Sequence, residues 1–207
     1  MAEITAITPQ LKDKRRCNIF IDGKFYCGML LETTIKNRLK VGKIVTEDEL
    51  SLIQLDSEKQ SALDKALTHI SASKKTEKQI RDFLKNKGYL SAVSDFVVEK
   101  MKEYGFIDDY DYAKDYTAFA QKKKGKRLIR MELKAKGIAE EEIEKALCQA
   151  DNETEVSSAT AILEKYMKNR QADKETLFKA FKYLLGKGFE YETAKSALQK
   201  YGEIDEE

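Results

Sequence analysis

The residues best suited to chemistry in this 207-residue chain are cations. Lys122-Lys123-Lys124-Gly125-Lys126-Arg127 leads into Arg130 and Lys134. Arg127, Arg130 and Lys134 recur at i, i+3 and i+7, so on a helix they share one face while Ile129 and Leu133 take another. Such a cluster fits electrostatic contact with a polyanion or an acidic protein surface, and it equally fits a solvated helix face. No aromatic residue interrupts Lys122 to Arg130, so no base-stacking platform is read there. A shorter basic run, Lys12-Asp-Lys-Arg-Arg16, leads into a hairpin and is the weaker candidate.

Catalytic arrangements find no support. The single histidine, His69, lies in an amphipathic helical pattern with no second histidine or nucleophile in register with it. GxSxG, HExxH and P-loop patterns are absent. Asp108-Asp109 and Glu140-Glu141-Glu142 open apparent helices, where acids complement the helix dipole. Gly186-Lys-Gly188 follows a helix and not a strand, which makes it a cap and not a phosphate cradle. Cys17, Cys27 and Cys148 form an odd set without CxxC, so neither a zinc site nor a disulfide framework is expected. The reading is therefore a non-enzyme with no catalytic residue, no metal and no cofactor.

The elements that must carry the cations are helical. The chain is 36% charged and 42% hydrophobic, with one proline, and its 38 Lys+Arg against 36 Asp+Glu leave +2. That composition supplies a core and suits solvated amphipathic helices. No run approaches the ~20 apolar residues of a membrane span, and Met1 to Gln10 lacks the features of a secretory signal. A reduced, cytoplasmic protein is expected. Residues 1–55 differ from the rest: Ile4-Thr-Ala-Ile-Thr8 is β-branched, and Asp22-Gly23 separates two strand-like runs as a hairpin turn does. With Ile21 opposite Lys24, regular pairing sets Cys17 against Gly28 and Cys27 against Asn18, on opposite faces of the ribbon. Glu32 to Leu39 reads as helix, and Thr46-Glu-Asp-Glu49 has capping-box spacing.

Beyond residue 55 the pattern repeats. Lys87-Gly-Tyr89, Lys136-Gly-Ile138 and Lys187-Gly-Phe189 each close one helical run and open another, at spacings of 49 and 51 residues. A further helix precedes each: Leu63, Leu67, Ile70; Tyr112, Tyr116, Phe119; and Ala159, Ile162, Leu163, Tyr166 mark them. Stripes such as Val93, Val97, Met101 and Tyr104 read as core. The period differs from the about 34 and 33 residues of tetratricopeptide and ankyrin units. The expected architecture is mainly α: a small N-terminal hairpin-containing module over 1–55, then three tandem three-helix repeats over 56–107, 108–151 and 152–207 that form an elongated, curved solenoid. Charge is uneven along it, with 9 basic and 12 acidic residues in 151–207.

Gly105-Phe-Ile-Asp-Asp-Tyr-Asp-Tyr-Ala through the basic stretch to Leu133-Lys-Ala-Lys-Gly-Ile138 resembles the RecX family of recombination regulators. Asp108, Asp109, Tyr112, Ala113, Leu133, Lys136, Gly137 and Ile138 match its pattern, and the resemblance covers about residues 56–202. Three tandem three-helix repeats are also that family's architecture, and some longer members carry an N-terminal β-containing extension. The resemblance implies a regulator that binds the RecA recombinase filament on DNA, limiting filament growth, strand exchange and coprotease activity, without catalysis of its own. It implies that Lys122, Lys123, Lys124, Lys126, Arg127 and Arg130 are candidates for contacting filament or DNA, and Lys134, on the same helix face, is a further candidate. DNA is expected to be bound mainly within the filament and weakly alone, by a monomer. The alternative reading is a general nucleic-acid-binding helical-repeat module with no recombinase partner.

Overall fold

The structure, a computed structural model, describes residues 2–11, 13–149 and 152–202. Lys12, the expected division between the second and third repeats at residue 151, and the chain after Gly202 lie outside the described residues. Two compact units part at residues 74/75, 79/80 and 106/107.

The first unit begins with an antiparallel sheet of β1 (Ala2–Pro9), β2 (Arg16–Ile21), β3 (Lys24–Leu30) and β4 (Ile44–Val45), in the order β3-β2-β1-β4. The hairpin turns where Asp-Gly predicts it. Asp22 and Gly23 have φ of 47° and 78°, the positive pair that a two-residue loop of strand-matching twist requires. Pairing starts at Ile21 opposite Lys24, but the register slips between Ile19 and Phe20. Cys17 consequently faces Met29, and Cys27 faces Ile19. Because side chains alternate with a period of two, this one-residue bulge reverses the expected faces. Both thiols point into the same core, with Ile4, Ile19, Met29, Val45 and Leu50. They are not bonded to each other.

α1 (Leu31–Lys36) is shorter than expected, because Arg38 takes a left-handed φ of 51° and lets the Leu39 amide turn back to the Thr34 carbonyl at 2.9 Å. α2 (Glu47–Ile70) starts at Thr46, whose hydroxyl accepts from the Glu49 amide, as its capping-box spacing predicts. With α3 (Glu77–Asn86) and α4 (Ser91–Glu103) it completes a helical triple in which α2 packs on α4. Val93, Val97 and Met101 are buried there, but Tyr104 is 61% exposed: it is the C-cap of α4, where the stripe has already rotated into solvent.

The second unit holds two more triples: α5 (Asp109–Ala120), α6 (Lys126–Ala135) and α7 (Glu140–Cys148), then α8 (Asn152–Met167), α9 (Lys174–Gly186) and α10 (Tyr191–Leu198). In each the first helix packs on the third, α5 on α7 and α8 on α10. Ile129, Leu133 and Ile143 fill one core; Leu163, Leu184 and Phe189 fill the other. The middle helices end alike. Gly137 (φ 87°) and Gly188 (φ 90°) occupy the left-handed position that L side chains avoid. The next amide then reaches back to the last buried leucine, Ile138 to the Leu133 carbonyl and Phe189 to the Leu184 carbonyl, each at 3.2 Å. The two-bond closure satisfies carbonyls that a helix end leaves free.

These caps also receive other helices. Residues 75–79, the start of α3, belong to the second unit, and there the Thr76 hydroxyl donates to the Lys136 carbonyl at 2.8 Å and the Lys78 ammonium to the Ala135 carbonyl at 3.0 Å. One repeat later, the Gly125 amide donates to the Lys187 carbonyl and the Arg127 amide to the Gly188 carbonyl, both at 3.1 Å. The start of one middle helix thus docks on the end of the next.

Candidate nucleic-acid interface

The acids that open α5 cap helices. Asp108 accepts from the Asp111 amide within its own helix, while Asp109 accepts from the Glu77 amide at the start of α3, both at 2.8 Å. Each meets one of the orphan donors that every helix start exposes.

Lys122 and Lys123 are exposed in the turn between α5 and α6. The other predicted cations are engaged within the fold. Lys124 reaches Glu132 at 2.5 Å, and Lys126 lies 3.7 Å from Glu155. Arg130 pairs with Glu144 at 2.6 Å and Glu140 at 3.5 Å, and Lys134 meets Glu140 at 2.5 Å. The Arg127 guanidinium donates to the Leu185 carbonyl at 2.5 Å. Arg127, Arg130 and Lys134 do lie off the buried Ile129/Leu133 face, as their spacing predicts. Their charge is directed sideways, Arg127 onto α9 and the other two onto α7, although Arg127 and Lys134 stay exposed, and Lys122 and Lys123 form an adjacent exposed pair in the turn.

Aromatic rings are present after all, supplied by helix spacing and not by interleaving. Lys123 stands 5.7 Å from the ring of Phe119, one helical turn earlier, and Phe119 is 69% exposed where its apolar stripe suggested core. The i, i+4 relation was available in the sequence. Tyr112 and Tyr116 stack at 6.2 Å with Lys136 over both rings, at 5.7 and 5.5 Å. The Glu132 carboxylate joins this group, accepting from Tyr116 at 2.6 Å as well as from Lys124. Burial alone would raise the Glu132 carboxyl, but the hydrogen bonds from Lys124 and Tyr116 outweigh it and hold the group below its ordinary value. Burial, reinforced by the Glu132 hydrogen bond, pushes the Tyr116 phenol up to about 12. Glu155, 8% exposed, caps α6 by accepting from the Lys126 amide at 3.2 Å. Neither Glu132 nor Glu155 is signalled by a run in the sequence, since each partner arrives from another turn or helix.

Among the described residues no group of three or more His, Cys, Asp or Glu is arranged to hold a metal ion, and no helix is long and apolar enough to cross a membrane.

Comparison with known proteins gives consistent matches along the chain. Residues 2–46 match the family described as the regulatory protein RecX N-terminal domain, residues 62–101 the RecX first three-helix domain, and residues 108–147 the RecX second three-helix domain. A protein of Clostridium botulinum (strain Alaska E43 / Type E3) named Regulatory protein RecX is 31% identical over 204 residues, covering 97% of this chain and 96% of its own. Its namesake in Listeria welshimeri is 34% identical over 208 residues, covering 98% of this chain and 77% of its own. A solved structure titled as regulatory protein RecX superposes with a TM-score of 0.70 at 28% identity, over 93% of this chain and 97% of that one. A RecX structure from Lactobacillus salivarius shares the fold, with a TM-score of 0.66 at 24% identity.

Proposed function

Since the chain belongs to the RecX family of regulatory proteins, we propose that it binds the RecA recombinase filament and restrains its growth, strand exchange and coprotease activity. The observation that carries this reading is the RecX match along nearly the whole chain, including the Asp108 to Ile138 stretch that a generic phosphate binder has no reason to contain. Lys122 and Lys123, with Phe119 beside them, are the contacts the junction offers; Lys124, Lys126, Arg127, Arg130 and Lys134 act mainly by holding that edge in place. Five of the seven cations already have partners within the fold that phosphate would have to share or displace, so we expect weak binding to DNA alone. A nucleoprotein filament, which presents protein surface together with phosphate, is the better match. The protein acts by occupancy as a monomer in the cytoplasm, with no chemical step.

The test is to titrate the protein into cognate RecA on single-stranded DNA and follow ATP hydrolysis and strand exchange. Inhibition at micromolar concentrations is expected, with K122E/K123E reducing potency at least about tenfold, the weight of ~1.4 kcal/mol, while the circular dichroism spectrum is unchanged. Unaltered RecA activity refutes the function. Full potency of the double variant refutes the role of the turn.

A further inference from the structure

The first unit contains a cleft of about 550 Å³ between the start of β2 and the helices α2 and α3. That volume falls within the roughly 300–1,000 Å³ of small-molecule sites. Its wall carries four cations, Arg15, Arg16, Lys65 and Lys87, against two acids, Asp13 and Asp64. The acids are engaged at the rim, Asp13 with Arg15 at 3.3 Å and Asp64 with the Gln60 amide at 3.1 Å. Arg16 and Lys65 are arranged otherwise. Arg16 donates to the Ser61 hydroxyl at 3.3 Å and to the Gly28 carbonyl at 3.0 Å; Ser61 meets the Tyr89 hydroxyl at 3.2 Å; Lys65 donates to that same hydroxyl at 2.9 Å. Two like charges are thus tied to opposite ends of one hydroxyl chain, through neutral acceptors. Both cations line the cleft, so an anion entering it meets more than one positive charge.

The same cleft offers a flat aromatic wall. His69 stacks on Phe83 with ring centres 4.1 Å apart and planes 2° from parallel, and the Lys87 ammonium lies 5.6 Å from the Phe83 centre. Both rings line the cleft, so a planar ring entering it meets aromatic surface, and stacking on such surface tolerates any base. We propose that the cleft binds a nucleotide, its base against His69 and Phe83 and its phosphate at Arg16, Lys65 and Lys87. The cleft belongs to the first unit and the Lys122/Lys123 turn to the second, and the proposal does not depend on the function assigned to that turn. Either a free nucleotide or one residue of a DNA strand carries this chemistry.

His69 is the sole histidine of the chain, so its imidazole resonances identify themselves in an NMR spectrum of the full-length protein. The probes are ATP, a short oligothymidylate and ringless tripolyphosphate. ATP or the oligonucleotide should move the His69 signals saturably, and tripolyphosphate should bind at least about tenfold more weakly than ATP. K65E/K87E, changed at exposed positions, should weaken binding about tenfold or more while leaving RecA inhibition in place. A response to ATP alone assigns a free nucleotide, and a response to the oligonucleotide alone assigns a strand. No His69 shift with either at millimolar concentration overturns the proposal. So does tripolyphosphate binding as tightly as ATP, or a double variant with undiminished affinity.

Discussion

Replacing Gly125 by alanine tests how the second and third helical triples are joined. A Cβ at residue 125 would lie 2.3 Å from the Gly188 carbonyl oxygen and from the Phe189 amide nitrogen, and 2.4 Å from the Gly188 carbonyl carbon. These are backbone atoms of a closed helix cap, so no rotamer change relieves the overlap. The start of α6 must withdraw by about 1 Å to restore contact distance. That breaks the two bonds from the Gly125 and Arg127 amides, each worth a net ~1 kcal/mol, and alanine is also a poorer N-cap than glycine by ~0.5–1 kcal/mol. The expected loss is about 3 kcal/mol, or roughly 13 °C in Tm for a unit of this size. Gly186 is the control. It is the last residue of α9, close by in sequence to the same cap, yet a Cβ there meets nothing within 4 Å, so Gly186→Ala should stabilise by ~0.5 kcal/mol. Thermal unfolding by circular dichroism reads both variants, and amide exchange at Arg127 should accelerate only in Gly125→Ala. A Gly125→Ala protein melting within about 2 °C of the parent refutes the docking of α6 on the α9 cap.

Arg38→Gly should stabilise by ~1 kcal/mol in urea unfolding, because it removes a side chain from the left-handed conformation that ends α1; destabilisation contradicts that account. Burial, helped by the neighbouring Cys17, pushes the Cys27 thiol from 9.0 up to about 11, whereas Cys148 is exposed, so a disulfide reagent should titrate Cys148 rapidly and the other two thiols only after denaturation. The folded state favours the neutral Cys27 thiol, so its contribution is complete below pH 9 and lost as pH rises toward 11; a parent protein no less stable there, relative to Cys27→Ala, counts against that burial. Glu132→Gln keeps a partner for Tyr116 but releases Lys124 from its carboxylate, and should raise the salt needed to elute the protein from heparin; an unchanged elution point means Lys124 is not held back by Glu132.

Local signals read well from the sequence because local physics decides them. The Asp22-Gly23 turn, the Thr46 cap and the Lys-Gly closures of the middle helices each depend on a few adjacent residues. The face shared by Cys17 and Cys27 did not, because one bulged residue reverses strand parity and nothing local marks it. β4 is not legible in the sequence for a similar reason: two residues carry no period, and they form a strand only because β1 offers an edge. At the junction the cations were legible as a run, but their partners were not. Glu132, Glu144 and Glu155 are brought in by helix packing, and that pairing determines which lysines face outward.

The docking of helix starts onto later caps sets an order for synthesis. The acceptors for the Gly125 and Arg127 amides sit at Lys187 and Gly188, some sixty residues further along the chain. Translation at about 5–20 residues per second therefore leaves the start of α6 uncapped by its final partners for several seconds. In the same way Thr76 and Lys78 wait for the Ala135 and Lys136 carbonyls. Each triple can form its own helices as it emerges, but its leading edge is completed only by the triple made after it. A nascent chain stalled before residue 187 would hold the basic turn on a helix whose first amides still face water.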